Sequence, residues 1–520
     1  MKPGVISPLR LGTVLCLALA AWPGGMRAAA ESRSLSRAQL LDKIRGGWAG
    51  QMIGVSYGAP TEFRAMGTVN DAELPWSRDR VSNAIGQDDL YVEMTFAKVM
   101  DDLGLKASCE QYGEAFKNSQ YHLWHANAGA RRALGQGIKA PWSGHPRYNF
   151  HANDIDFQIE ADFIGLMCPG LPRESNKYCD RVGRVMNYGD GLYGGMFVCG
   201  MYAAAFFETD PRKVVESGLR CIPAESEYGL LVKDLLDWSA QLPADWRKVW
   251  QLLEDKWDKD DPCPDGALQP FNIDAKLNGA YIALGLLFGN LDFMKTMEIS
   301  TRCGQDSDCN PSSAAGVLGV MLGFNAIPDQ CKSGIAPLAD KKFDYTSYSF
   351  NDIVRSTETR ALKVIQQTGG KVTDQEVTVR IQKPRAPKLE QWTPGIPERR
   401  VNAADPSWSY SGKWETKDNV KTSRSAGNEA VLKFNGVAVA ILGALTQDGG
   451  RADVYLDGKR LGVADAYIIE RTHDNVLWNV YGLKAREHTV RLVTTDTADA
   501  RSSGKRVSVN GAVVYRAAER

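Results

Sequence analysis

Residues 304–311 read GQDSDCNP, two acids one residue apart, and run straight into the small-residue segment SSAAGVLGVMLG. The same three opening letters occur earlier, at Gly86-Gln87-Asp88, where Asp89 follows at once. In both places the acids stand where a helix is expected to begin. The first corner leads into LYVEMTFAKVM, and at the second Asn310 is the expected N-cap with Pro311 at the first helical position. Acids at helix N-termini are stabilised by the exposed amides and the helix dipole, so capping is one reading. One cap needs one acid, however, and four carboxylates in two matching corners repel one another if they meet. Hard cations such as magnesium or calcium are what such oxygen clusters bind, so a divalent-metal site is the other reading. An EF-hand is excluded, because counting from Asp306 places Pro311 where glycine belongs and Val317 where the bidentate glutamate belongs.

Outward from these corners, residues from about 36 to 366 alternate glycine-punctuated loops with stretches such as RAQLLDKIRGGWAGQMIG and MFVCGMYAAAFFE, whose apolar residues recur at helical spacing. Near residue 370 the pattern changes. The alternating QEVTVRIQ and a connector with Pro384, Pro387, Pro394 and Pro397 predict an extended tether crossed by few contacts. From about 401 the period becomes two, as in ADVYLDGKRLGV and EHTVRLVTT, with Asp457-Gly458 an expected hairpin turn. The expected fold is multidomain: an all-α domain over 36–370, a proline-rich linker over 371–400, and an all-β sandwich of jelly-roll type over 401–520.

A third stretch connects the two corners. The first predicted helix runs out in GVSYGAPTEF, residues 54–63, which resembles the G-D-A-L-G-x-P-x-E signature opening the ADP-ribosylglycohydrolase family, also known as dinitrogenase-reductase-activating glycohydrolase-like proteins. That family carries a T-D-D-T corner some tens of residues later and a G-G-D-T/S-D-T corner near the end of an all-helical domain. Here Gly58, Pro60 and Glu62, then Gln87 to Leu90, then Gly304 to Cys309 occur in the same order, a resemblance covering roughly residues 36–340. It implies that the corners converge and hold one or two divalent ions, magnesium or calcium, through Asp88, Asp89, Asp306 and Asp308. It further implies that Glu62 helps to activate water or leaving group at a ribosyl anomeric carbon. Glycosidic cleavage passes through an oxocarbenium-like state and needs a carboxylate that moves protons and a group that fixes the sugar hydroxyls. The sequence departs from the family at Gln87, Leu90 and Cys309, which replace threonines, and at Val55, which replaces an acid; a neutral thiol adds little to a magnesium site.

Where family members carry an asparagine-glycine segment, this chain has NDIDFQIEADFIGLMCPG, bringing Asp154, Asp156, Glu160 and Asp162. Asp156 and Glu160, four apart, form a like-charge helical pair for which a solvated face is the plainer reading. Ile159, Phe163 and Leu166 argue instead for partial burial, in which case Glu160 or Asp162 becomes a candidate general acid and Asp156 a candidate substrate contact. Gln87, Asp190 and Tyr193 are further candidate substrate contacts, the last two in the glycine-rich GDGLYGG, which also reads as a simple turn. His122 and His125 suggest zinc only in outline, lacking a matched partner set, and read as surface or packing residues. Trp76, Trp124 and Trp142 are candidate stacking residues or rim packing. The C-terminal pattern resembles the galactose-binding-like jelly rolls appended to secreted carbohydrate-active enzymes, with Trp408, Tyr410 and Trp414 as candidate polysaccharide contacts.

Sixty-two basic against sixty-two acidic residues leave a net charge of zero, which removes the electrostatic footprint of a nucleic-acid partner. Lys2 and Arg10, the apolar run LGTVLCLALAAW and Ala28-Ala29-Ala30 predict a signal peptide over 1–30 and an exported, periplasmic or extracellular protein with no membrane span. Beyond Cys16 nine cysteines remain, some expected to pair in an oxidising compartment. Two functions fit: a metal-dependent hydrolase of an ADP-ribosyl or other glycosyl conjugate, or a non-catalytic glycan- or nucleotide-binding protein on the same fold.

Overall fold

The computed structural model describes residues 31–258, 261–469 and 475–518; the expected signal peptide lies outside the described residues. Helix α1, Arg37–Gly58, opens on a capping box at Ser36 and Gln39. Gly46, Gly50, Gly54 and Gly58 follow one another every four residues along one face of it. A Cβ on these glycines would lie 2.1, 2.1, 2.2 and 1.9 Å from the carbonyl oxygens of Gly319, Ala315, Pro311 and Ser307. Only glycine permits that approach, so α1 and the Cys309–Leu322 helix touch backbone to backbone. The falling order of partners makes the two helices antiparallel. The end of α1 therefore sits at the start of the later helix, which places Glu62 beside Asp306 and Asp308.

The later helix begins two residues earlier than expected, at Cys309, with Asp308 at the cap position and no side-chain cap bond. Asn310 is instead a core residue whose Nδ2 donates to Asn278 Oδ1 at 2.9 Å. Helix α2, Asp88–Leu103, follows Gln87, which likewise makes no side-chain cap bond. All nine described cysteines are free and eight are buried, behaving as small apolar residues rather than as staples. No helix among the described residues is long and apolar enough to cross a membrane.

The C-terminal region, Ile396–Arg516, is built of antiparallel sheets, a small three-stranded one beside a sandwich of two. One has five strands, in spatial order Lys459–Asp465, Gly450–Leu456, Arg486–Ala498, Glu429–Gly436 and Trp408–Ser411; the other has four, Asn475–Val480, Ala438–Gly443, Gly511–Arg516 and Ile396–Asn402. Asp457 and Gly458 both have positive φ, 48° and 81°, in the expected two-residue hairpin turn. Trp408 belongs to the inter-sheet core, at 6% exposure, so it is not a stacking platform for a ligand.

The four-stranded sheet is covered on both faces. Ala438–Gly443 is buried along its whole length, whereas Gly450–Leu456 alternates. The second cover is the helical half: Phe150 and Ala267 pack with Ala438, Ala440, Leu442, Val513 and Tyr515. The connector is not a free tether. Glu376–Arg380 pairs with Ser32–Ser36, Arg184 and Glu390 form a bidentate ion pair at 2.9 and 3.0 Å, and Trp392 Nε1 donates to Asn153 Oδ1 at 3.0 Å. A chain ended at residue 370 leaves the Phe150 and Ala267 patch bare and Ser32–Ser36 unpaired. Its expected behaviour is aggregation in size-exclusion chromatography under conditions where the full chain elutes as a discrete species; a discrete truncated species melting near the full chain overturns this.

Candidate functional site

Three chain segments bring their acids to one end of a cavity of about 640 Å³, a size suited to a small ligand. Glu62, Gln87, Asp88 and Asp306 line it, with Asp89 and Asp308 buried immediately behind. Thr61 Oγ1 lies 2.8 Å from Ser307 Oγ, which pins the Glu62 turn to the second corner. Gln305 holds that corner in shape. It adopts a left-handed backbone at φ 53°, accepts from Phe63 N at 3.0 Å and donates through its own N to Ala65 O at 2.8 Å. Its side chain accepts from Asn272 N at 2.8 Å and donates to Pro270 O at 2.9 Å, tying the Phe271 loop to the same place. Such a conformation in a non-glycine residue survives only where surrounding bonds over-determine it.

The electrostatics are one-sided. Burial, then Asp308 and Asp88, pushes the Glu62 carboxyl up to about 8, although its tip reaches solvent through the pocket mouth. Burial and then Asp308 push Asp88 up to about 6. Asp89 and Asp306 are held well above the usual carboxylate range by burial first and neighbouring acids second, and burial raises Asp308 as well. Asp89 Oδ1, Asp306 Oδ1 and Asp308 Oδ1 have no hydrogen-bond partner. Asp306, Asp308 and Cys309 each offer a donor atom within 4.8 Å of the others. Orphaned buried carboxylate oxygens, crowded together, fit a hard divalent cation. Cys309 Sγ donates to Asp89 Oδ2 at 3.2 Å, so the thiol that replaces a family threonine orients a carboxylate.

The acids of the divergent segment are buried rather than solvated. Asp156 lines the cavity and accepts from Ala126 N at 3.1 Å and Asn127 N at 2.8 Å, capping the His125–Gly135 helix. Glu160 and Asp162 are fully buried and lie outside the cavity lining: Glu160 is hydrogen-bonded by Asn127, and Asp162 accepts from Ser313 Oγ at 3.1 Å. Glu93 joins this buried layer, its Oε2 accepting from Phe163 N at 2.8 Å. It stands four residues after Asp89 on α2, a like-charge pair that the sequence reasoning passed over. Asp190 and Tyr193 do not reach the cavity. Burial pushes Asp190 up to about 7 among Lys276, Asp274 and Glu227, and the Tyr193 hydroxyl accepts from Glu390 N at 2.6 Å, anchoring the connector.

The rest of the lining carries residues that the sequence reading set aside. His125 lines the cavity and pairs with Asp265 at 3.2 Å. Burial disfavours its imidazolium, but Asp265, Asp154 and Asp156 outweigh that and the net direction is upward. Phe63 and Phe271, with ring centroids 4.8 Å apart, and the half-exposed Trp124 give an apolar face. Trp76 packs on Tyr57, and Trp142 is an exposed residue against His145. Arg400, from the first strand of the sandwich, completes the lining and donates to Pro264 O at 2.6 Å.

A family model described as ADP-ribosylglycohydrolase matches residues 36–361. An A type blood alpha-D-galactosamine galactosaminidase of Flavonifractor plautii is 34% identical over 101 residues, covering 18% of this chain and 9% of that protein's length. Among solved structures, an ADP-ribosylglycohydrolase-related protein complex is similar over 62% of this chain and 98% of that one, at 14% identity and a TM-score of 0.41. A two-domain esterase active on acetylated mannans is similar over 32% of this chain and 46% of that one, at 14% identity and a TM-score of 0.21.

Proposed function

Because this chain belongs to the ADP-ribosylglycohydrolase family, we propose that it is a divalent-metal-dependent hydrolase of a glycosidic bond that prefers an uncharged glycoside to an ADP-ribosyl group. The observation that carries the reading is the convergence of Glu62, Asp88, Asp89, Asp306 and Asp308 at one end of a ligand-sized cavity. Asp88, Asp89, Asp306 and Asp308 would hold magnesium or calcium, which when bound supplies positive charge to fix sugar hydroxyls and polarise water. Glu62 is the proton-moving group: it faces the cavity, and burial with the charges of Asp308 and Asp88 raises its carboxyl, which favours giving a proton to a leaving group and recovering one from water. Phe63, Phe271 and Trp124 offer faces on which a sugar ring stacks.

The substrate preference follows from charge. Glu62, Asp88, Asp156, Asp265 and Asp306 line the cavity against two basic side chains, His125 and Arg400, and both of these are already engaged. A diphosphate needs a cluster of donors that this lining lacks. Arg400 also gives the sandwich a part in the pocket, while any polysaccharide contact by that domain rests on Tyr410 and Trp414, Trp408 being in the core. We take the protein to be exported, on the residues 1–30 pattern.

Screening the purified protein against pentofuranosides, pyranosides and ADP-ribosyl conjugates, with and without chelator, tests this. Cleavage of a neutral glycoside, lost with chelator and restored by magnesium or calcium, is expected. Cleavage of ADP-ribosyl conjugates alone overturns the substrate preference. Glycan binding without any turnover leaves the binding-protein reading.

A further inference from the structure

Behind His125 and Asp265, which line the cavity, lies a second cluster with a different donor chemistry. Asp154 Oδ2 lies 2.7 Å from His151 Nδ1, 3.3 Å from Cys263 Sγ and 3.9 Å from His125 Nδ1. Cys263 Sγ is 3.9 Å from His151 Nδ1, and Asp265 Oδ2 is 3.2 Å from His125 Nδ1. His151, Asp154 and Cys263 are at most 3% exposed, and the His125 and Asp265 side chains are 17% and 20% exposed. Two imidazoles, a thiol and two carboxylates thus converge from three segments: the start of the His125–Gly135 helix, the 151–154 turn and the 261–265 loop.

We propose that this cluster is a zinc site, with His125, His151, Asp154 and Cys263 as donors and Asp265 within reach of the same centre. Ligand atoms at about 2.0 to 2.3 Å from a tetrahedral zinc stand roughly 3.3 to 3.8 Å apart. His125, His151 and Asp154 already offer ligand atoms within 4.8 Å of one another, and Cys263 Sγ lies 3.3 Å from Asp154 and 3.9 Å from His151. Loading requires the His151–Asp154 and His125–Asp265 contacts to open and Cys263 to release its proton, since the thiolate is the ligand. Nitrogen and sulfur donors select zinc, whereas the carboxylate-rich corner suits magnesium or calcium. The chain around Cys263 explains why a staple is useful. The 261–265 loop is held by Tyr515 and Arg400 of the sandwich, which donate to Pro262 O at 3.0 Å and Pro264 O at 2.6 Å, and by the Ala267 N bond to Cys263 O at 2.8 Å. A bound zinc would lock helix, turn and loop into one wall of the cavity. This proposal does not depend on the hydrolase reading.

Cobalt(II) alone is the probe. Chelator-stripped full-length protein titrated with cobalt should develop a thiolate-to-cobalt charge-transfer band, and one equivalent of zinc should remove it. Cys263→Ser should abolish the band, while Cys309→Ser and Asp306→Asn, both at the acidic corner, should keep it. His151→Gln, which preserves volume, should weaken zinc binding by at least about 100-fold. Absence of the band in the parent, its survival in Cys263→Ser, or parent-like zinc affinity in a folded His151→Gln overturns the assignment.

Discussion

Asp308→Asn should abolish the rise in melting temperature that magnesium or calcium gives the parent, and turnover with it. A ligand that binds only the native state adds RT ln(1 + [L]/Kd), about 2.7 kcal/mol at a hundredfold excess over Kd. The reason to expect so large a response is that burial and mutual repulsion outweigh the favourable charge of His125 on Asp88, and that three oxygens of the corners have no hydrogen bond. Asn keeps the shape of Asp308 and removes its charge. In chelator the same substitution should leave stability equal to the parent's or higher, because it relieves repulsion on Glu62, Asp88, Asp89 and Asp306. The pH dependence has a definite sign. An acid whose proton is held more tightly folded than unfolded favours the fold at low pH and loses that contribution as pH rises. With Asp88 pushed up to about 6 and Glu62 to about 8, the metal-free protein should become less stable between about pH 4 and 8. Added metal should flatten that fall. Thermal scans across this range, with chelator and with each ion, decide it; identical curves for parent and Asp308→Asn under all conditions return the corners to capping.

The convergence behind that prediction was legible through the family resemblance that the three motifs carry, and the structure supplies its physical basis. The glycines of α1 and the small-residue run after the second corner, which the sequence reading did not pair, pack two helices at backbone distance, and such packing fixes where Glu62 must fall. The His125, His151, Asp154, Cys263 and Asp265 cluster was not legible, because its members come from three loops with no fixed spacing, joined only by tertiary contacts. The burial of Asp156 and Glu160 was half legible. Ile159 and Phe163 pointed inward, yet a like-charge pair four apart reads as solvated until the Asn127 side chain and amide that receive it are seen. The contact between the halves left a trace that period-two reading hides: Ala438–Gly443 is an unbroken apolar run, the mark of a strand covered on both faces.

Glu62→Gln should lower turnover by about 10²- to 10⁴-fold, the usual cost of removing a proton-transfer group. The argument separates holding a sugar from moving a proton. Glu62 is the acid that lines the cavity at the end of α1, held there by the Thr61–Ser307 contact and by the Phe63 N bond to Gln305 O. Gln preserves its volume and hydrogen bonding but cannot shuttle a proton, so KM and the metal-induced rise in melting temperature should stay near the parent's. Loss of kcat without loss of either is what a purely structural role would not produce, since a misplaced turn would disturb both corners together, as Asp308→Asn does. Glu160→Gln is the rival test. Glu160 is fully buried and bonded to Asn127 outside the cavity lining, so its substitution should act on stability before it acts on chemistry. Should Glu62→Gln keep nearly full turnover while a folded Glu160→Gln loses it, proton transfer belongs to the buried layer formed by Glu160, Asp162 and Glu93, and the cavity must open toward that layer during the reaction.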